Sequence, residues 1–521
     1  MNEPTSPSSP KAGTAPIPWP PLVNFLREFF ESKMQNPYLV GGIIRDCLLG
    51  IKPQDVDIAI EGDIAAVGLE LANALGGQYV QMHQDWDIGR VIVPATAVID
   101  NDIAYVDISG MVGGIEADLR RRDFSVDALA IPLAAETFHR DAITDLVGGL
   151  ADLDAEVIRA NADDTFRDDP ARLLRAPRLA AQLGFTIEAD TEAKIRRDAA
   201  LVTGVAPERV RDELMRLLSA PSAAESVRWL DGAGLLSQVL PELDEARGIT
   251  QPKEHHWDVF NHLVEAVGHV DMIFSFLFGH QSTRLGPQPL QGDFLTAAVP
   301  TFEGMQGYFQ EDIGDGHTRL TFLKLTALLH DVAKPATKTI EASGKMRFLG
   351  HHTVGEEMAG EILGRLRFSR RGTRLVSQMI RNHLRPTQMA AKGEMPSGRA
   401  LYRYYRDVSE GAVDTLYLNM ADFLAARGPT ITEQDWRDHC ELMEYILIKG
   451  RQQSAPETLP KIITGHDIMV ALSLPSGPEV GRLLGLVLEA QANGEVNSTD
   501  EALGLIRSLA DSMLEPGGCG A

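Results

Sequence analysis

Two periodicities divide this chain. Up to about residue 150 the apolar residues form short β-type runs, at 56–60, 91–93, 103–108 and 126–131, with a helical run at 65–75 among them. Alternation with period two marks a strand and a period near 3.6 marks a helix, so this pattern predicts a small α/β unit. From about 151 the period becomes helical, with runs at 171–183, 191–201 and 207–218. A second helical block spans roughly 251–427. It is interrupted between 279 and 316 by a stretch rich in Gly, Pro and Gln that reads as a surface loop or insertion. The last helical segment, 462–509, is broken by Leu474-Pro475-Ser476-Gly477-Pro478. The expected division is a tail over 1–20, then units over 21–150, 151–245, 246–430 and 431–521.

At 521 residues the chain exceeds what one hydrophobic core sustains, which fits several domains. The formal charge of −24 argues against a generally basic, nucleic-acid-coating surface. Arginine is nevertheless clustered, at Arg120-Arg121-Arg122, Arg172/Arg175/Arg178, Arg196-Arg197, Arg209/Arg211/Arg216 and Arg365/Arg367/Arg370/Arg371/Arg374. These clusters form either local phosphate tracks or solvated faces paired with the abundant acids. Cys47, Cys440 and Cys519 show neither metal-type spacing nor a disulfide framework, which suits a reducing cytoplasm. The first twenty residues, rich in Pro, Ser and Ala, read as a disordered tail rather than a signal peptide. No apolar run approaches membrane-spanning length, so a soluble protein is expected.

The densest chemistry lies in Tyr38-Leu39-Val40-Gly41-Gly42-Ile43-Ile44-Arg45-Asp46-Cys47-Leu48-Leu49-Gly50, followed by Asp55-Val56-Asp57. An apolar strand meets a Gly-Gly turn and then a short helix. A second strand carries Asp55 and Asp57 two residues apart, so both acids face the same way and can share divalent cations. Gly41 and Gly42 let a phosphate approach the backbone, and Arg45 can neutralise it. Paired acids beside a phosphate cradle suit metal-assisted in-line attack on a nucleoside triphosphate.

The order and spacing of these residues resemble the signature of the polymerase-β-like nucleotidyltransferases, in particular the bacterial class of tRNA CCA-adding enzymes and poly(A) polymerases. Further stretches match in order. Arg121-Arg122-Asp123-Phe124-Ser125-Val126-Asp127-Ala128 resembles a motif whose arginine and aspartate contact the nucleotide sugar and phosphates, which implies that role for Arg122 and Asp123. The family usually has Asn where this chain has Asp127. Asp145-Leu146-Val147-Gly148-Gly149 resembles the next element. In Phe166-Arg167-Asp168-Asp169-Pro170-Ala171-Arg172-Leu173-Leu174-Arg175, a helix would bring Asp169 and Arg172 to one face at i and i+3. The resemblance implies that this pair reads the incoming CTP or ATP without a template, with Arg172 and Arg175 on the nucleotide. Taken alone, Asp169 before Pro170 also reads as a helix N-cap with Arg172 as its partner. Pro207-Glu208-Arg209-Val210-Arg211-Asp212 completes the series as a helix start.

One departure bears on specificity. Only 108–120 separate Val106-Asp107 from Arg121-Arg122, where members that add a complete CCA carry a longer flexible loop. The short connection points to a CC-adding specialist. Asp107 reads equally as a third metal-side carboxylate or a strand-end acid.

A second chemistry follows. His262, then His330-Asp331 within Ala327-Leu328-Leu329-His330-Asp331-Val332-Ala333-Lys334-Pro335, then Asp422, resemble the HD metal-phosphohydrolase pattern, with His351 and His383 as auxiliary histidines. Imidazoles and carboxylates on neighbouring helices bind divalent metals and can activate water against a phosphoester.

The resemblance therefore implies an α+β multidomain protein: a small polymerase-β-like α/β head over 21–150, a helical neck over 151–245, an HD domain over 246–430 and a C-terminal helical region. It implies a template-independent nucleotidyltransferase acting on the tRNA 3′ end, using CTP, ATP or both. Mg²⁺ is expected in the head, held by the catalytic Asp55 and Asp57, and Mg²⁺, Ni²⁺ or Mn²⁺ at His262, His330, Asp331 and Asp422. DNA and membrane partners are not expected. Two other readings stay open here: a poly(A) polymerase, and an HD phosphohydrolase whose head is a retired RNA-binding module.

Overall fold

The computed structural model describes residues 19–83, 88–94, 103–135, 138–278, 294–389, 393–452, 462–492 and 494–514. The chain forms two compact units, Met1–Gly204 and Val205–Ala521.

In the first unit, α1 (Pro21–Glu31) is followed by β1 (Tyr38–Val40), α2 (Gly42–Leu49), β2 (Asp55–Ile60), α3 (Ile64–Leu75), β3 (Gln78–His83) and β4 (Ile88–Ile92). Next come β5 (Tyr105–Gly110), α4 (Ile115–Arg121), β6 (Leu129–Pro132) and β7 (Thr144–Asp145). The strands form one mixed sheet in the order β3-β4-β5-β2-β1-β6-β7. β2 and β5 pair in parallel, with Asp57 opposite Asp107, and the β3–β4 hairpin lies beyond β5. Leu22, Leu26 and Phe30 of α1 share one buried cluster with Leu39, Ile58, Val106 and Ile131. Residues 1–18 lie outside the described residues, but the last of the expected tail is packed: Trp19 is buried edge-on to Phe138, with ring centroids 4.9 Å apart.

Two local expectations need correction. The β-type run at 126–131 begins as a 3₁₀ turn, Ser125–Asp127, and becomes strand only at Leu129. Its polar side chains are buried in polar contacts, Ser125 donating to Asp152 (2.6 Å) and Asp127 pairing with Arg45, so no strand alternation operates there. Asp169 is not on a helix. It is extended (φ −144°, ψ 99°), and the helix begins at Arg172 with Ala171 as N-cap. A residue before proline is pushed out of the helical region, so Pro170 keeps Asp169 in the turn that precedes the helix. The helical i, i+3 geometry expected for Asp169 and Arg172 is therefore absent.

The second unit is mainly helical. Helices Val259–Phe278, Arg319–Leu329, His351–Arg365, Arg370–Asn382 and Ala412–Arg427 surround its polar centre. The hairpin Lys338–Ile340/Met346–Phe348 joins the second of these to the third. The expected loop over 279–316 is corrected in part. Residues 279–293 lie outside the described residues, but from Phe294 onward the chain forms helices Phe294–Ala297 and Met305–Gln310 and a small hairpin. Leu295, Val299, Met305, Phe309 and Ile313 are buried, Trp436 donates to the Leu295 carbonyl (2.7 Å) and Tyr417 to that of Pro300 (2.8 Å). These apolar side chains outweigh the local Gly and Pro content. Helices Gly465–Leu472, Pro478–Ala492 and Thr499–Leu514 have their own core, with the helix after the break starting at Pro478. Among the described residues, no helix is long and apolar enough to cross a membrane.

Candidate active site

The head site is built on three neighbouring strands. Asp55 and Asp57 sit at alternate positions of β2, and the β2–β5 register sets Asp107 beside Asp57. Arg90 on β4 lies opposite Asp107 and chelates it through two hydrogen bonds of 2.7 Å each. Burial raises the Asp57 carboxyl, and Asp55 and Asp107 raise it further, to about 7, against the pull of Arg122 and Arg175. Such like-charge crowding disfavours ionisation unless a cation relieves it, so this donor set fits a divalent metal.

The Gly-Gly turn closes over these acids. Gly41 has φ +73°, and a Cβ there would lie 3.1 Å from Asp57 Oδ2 and 3.0 Å from an Arg122 guanidinium nitrogen. The positive φ favours glycine there, and a Cβ would sit tight against both side chains. Gly42 opens α2, and one turn on, buried Arg45 pairs with Asp46 (2.8 Å) and with Asp127. Arg122 is held by Asp118 (3.0 Å). The Phe124 amide donates to Asp123 Oδ1 (3.0 Å), and Arg175 pairs with the other Asp123 oxygen (2.8 Å) and with Asp127 (3.5 Å). Burial raises the Asp127 carboxyl, but Arg45 and Arg175 outweigh it and hold it below the usual range. The negative charge gained where the family usually has Asn is thereby neutralised internally.

Gly41, Gly42, Arg45, Asp57, Arg122, Asp123 and Arg175 therefore form one connected set. Arg172, a turn before Arg175 on helix Arg172–Leu183, donates to the Thr165 carbonyl (3.2 Å). Asp169 accepts from the Ala171 amide (3.2 Å). Asp145 receives four amides, those of Val147, Gly148, Gly149 and Leu150, and so fixes the turn after β7.

In the second unit the six predicted side chains converge. Potential ligand atoms of His262, His330, Asp331 and Asp422 lie within 4.8 Å of one another, and so do those of Asp331, His351 and His383. His262 Nε2 is 3.3 Å from Asp331 Oδ2 and 3.1 Å from Asp422 Oδ1. His351 Nε2 approaches the other Asp331 oxygen at 3.3 Å. Three of the rings are oriented by backbone: the Nδ1 atoms of His330, His351 and His383 face the carbonyls of Ala327 (2.8 Å), Phe348 (2.6 Å) and Ile380 (2.7 Å). Each Nε2 is thereby aimed at the acids. Burial pushes His330 down, but Asp331 and Asp422 outweigh it and raise it to about 10, while burial lowers His383 to about 4. Asp331 Oδ1 is buried with no hydrogen-bond donor. A carboxylate so placed among imidazoles fits a divalent cation, which would displace the His330 proton.

Two functional partners escaped the sequence reading. Lys334, quoted only as part of the His-Asp stretch, salt-bridges Asp331 (2.5 Å) and donates to Gln251 (2.6 Å); its i+3 spacing from Asp331 was the available signal. Arg90 had none, because its partner is set by strand register.

Together, the paired acids under a glycine turn and the His/Asp centre define a nucleotidyltransferase head combined with an HD-type centre. Residues 37–159 match the poly A polymerase head domain, residues 184–247 the probable RNA- and SrmB-binding site of polymerase A, and residues 307–419 the HD domain. His262 and Asp422 lie outside that last match. The chain is 33% identical over 479 residues to the A-adding tRNA nucleotidyltransferase of Deinococcus radiodurans, covering 91% of this chain and 95% of the relative. It is 31% identical to the CC-adding tRNA nucleotidyltransferase of Thermus thermophilus, covering 90% and 92%. The Thermotoga maritima CCA-adding enzyme complexed with tRNA has a similar fold, with TM-score 0.54, 20% identity and coverage of 94% and 95%. The chain belongs to the tRNA nucleotidyltransferase family.

Proposed function

We propose that this protein adds C residues to the 3′ end of tRNA from CTP, and that its HD centre is a metal-dependent phosphohydrolase. The observation that carries the specificity is the connection after β5: α4 begins at Ile115, leaving only residues 111–114 between strand and helix. That leaves no room for the longer loop with which complete CCA-adding enzymes switch to ATP. Identity does not choose between specificities, since A-adding and CC-adding relatives stand at 33% and 31%. Gly113 and Gly114, at φ +83° and +84°, support a tight connection.

In this reading Asp55 and Asp57 hold Mg²⁺, which supplies charge neutralisation at the attacking 3′ hydroxyl and the triphosphate. Gly41 and Gly42 admit the triphosphate, Arg45, Arg122 and Arg175 face its charge, and Asp123 positions Arg175. Asp169 and Arg172 select the base from the turn and from the first helical position. His262, His330, Asp331 and Asp422 hold the second cation, with His351 and His383 beside it. The domain boundaries we favour are 21–150, 151–245, 246–430 and 431–521, and the cytoplasm is the compartment we expect.

Asp55→Ala tests the assignment of chemistry to the head. It should abolish nucleotide incorporation and leave metal-dependent phosphate release intact. Incorporation that survives in Asp55→Ala would refute the head assignment.

A further inference from the structure

We propose that Arg90 binds the phosphate on the 5′ side of the RNA's terminal nucleotide and so sets the acceptor 3′ hydroxyl at Asp55 and Asp57. The proposal rests on the assignment of nucleotide transfer to the head and adds how the head holds its second substrate.

The sheet register lays one face out in rows. Asp57, Asp107, Arg90 and Val80 stand opposite one another across β2, β5, β4 and β3, and Asp55, Tyr105, Ile92 and Gln78 form the next row. Residues paired in this way share a face, so the face that carries the paired acids continues over Arg90 to the edge of the sheet. The two reactants belong on different sides of β2. The glycine turn follows β1 on one side and gathers Arg122, Arg45 and, through Asp127, Arg175. In-line displacement needs the attacking hydroxyl opposite the leaving pyrophosphate, so the RNA end comes from the side of β5 and β4.

Arg90 is the one Lys or Arg in strands β2, β3, β4 and β5. Without it an RNA end would meet three carboxylates and no cation on these strands. Its bonds to Asp107 use Nε and Nη2, which fixes the guanidinium plane and leaves Nη1 uncommitted among the described residues. The same guanidinium lies over the Tyr105 ring, 4.5 Å from its centroid. A cation held on two sides with a donor to spare is preorganised for a phosphate oxygen. Val80, Ile92 and the Tyr105 ring are exposed around it and give the terminal nucleoside a surface to lie on. β4 is two strands from β2, about 10 Å at the usual strand spacing. An arginine side chain and one nucleotide span that gap.

The test uses the full chain and two tRNA transcripts ending at C, one with a methylphosphonate in place of the phosphate 5′ to the terminal nucleotide. This removes the charge that Arg90 would meet and alters no protein residue, so the test holds even if a variant folds poorly. Incorporation from CTP with Mg²⁺ is measured beside tRNA binding with Ca²⁺, which reports the contact without turnover. In the wild type the methylphosphonate should raise KM for tRNA and weaken binding about tenfold, the order of one hydrogen bond to a charged group. KM for CTP should not change. Arg90→Gln should lose the same factor with the natural transcript and nothing more with the methylphosphonate. Its salt slope should fall by about 0.7, as for one single-stranded phosphate. Equal wild-type affinity for the two transcripts, a further loss in the variant with the methylphosphonate, or a rise in KM for CTP alone would overturn the proposal. If the wild type incorporates nothing, the head assignment fails, and binding in Ca²⁺ alone then decides whether Arg90 holds the RNA end.

Discussion

Asp57 carries the sharpest electrostatic conflict in the head. Its carboxyl stands at about 7 rather than the ordinary 3.8 because burial, Asp55 and Asp107 all oppose its charge. Between those values the metal-free native state binds more protons than the unfolded chain, so this group makes the protein less stable as pH rises from about 4 to 7. The slope is at most about 1.4 kcal/mol per pH unit. Urea unfolding in chelator at several pH values should show this term in the wild type and its loss in Asp57→Asn. The same proton competes with the cation. The apparent Mg²⁺ affinity for incorporation should therefore fall about tenfold per pH unit below 7 and level off above it. A flat profile would mean that Asp57 is already ionised. At the second centre, Asp331→Asn should lower the metal that copurifies with the protein, as elemental analysis would measure, because both potential ligand groups share this residue. The paired acids and the histidines were legible in the sequence because their chemistry is carried by residue type and spacing. Arg90 was not, since nothing local to 88–92 reveals that β4 and β5 set it opposite Asp107.

At the scale of elements, the sequence was most readable where one period ran unopposed. Helices 172–183, 189–198 and 207–219 stand close to their expected spans, the first and last because each keeps an apolar buried face. Failures arose where tertiary contacts overrode local pattern. Ser125–Asp127 is a turn because buried polar partners capture its side chains, and Asp169 leaves the helix because Pro170 follows it. Gly and Pro content concealed the packed residues after 293. The turn after β7 makes a direct test of element-level energetics. One carboxylate, Asp145, receives four amides there, so Asp145→Ala should cost about 1–2 kcal/mol by the measure of a lost cap. Denaturant midpoints would check this, and incorporation should weaken with it if the turn braces the nucleotide-binding arginines.

At the scale of the molecule, the chain joins two chemistries in separate compact units, one built on paired carboxylates and one on imidazoles. A net charge of −24 gives it no general affinity for phosphate, and several of the clustered arginines are paired with acids, Arg121 and Arg122 with Asp118, Arg196 with Glu192 and Arg365 with Glu242. Binding of tRNA should consequently weaken only modestly with salt, by a slope reflecting the few phosphates that local arginines contact, as binding measured across a salt series would check. The proposed C addition without terminal A addition depends on the four-residue connection between β5 and α4. The most direct test supplies purified protein with Mg²⁺, CTP and ATP and with tRNA transcripts ending at the discriminator base, at C or at CC. Products are then read at single-nucleotide resolution. Two C residues should be added, and growth should stop at CC even with ATP present. A single A added to the CC transcript, or a long A ladder, would contradict it.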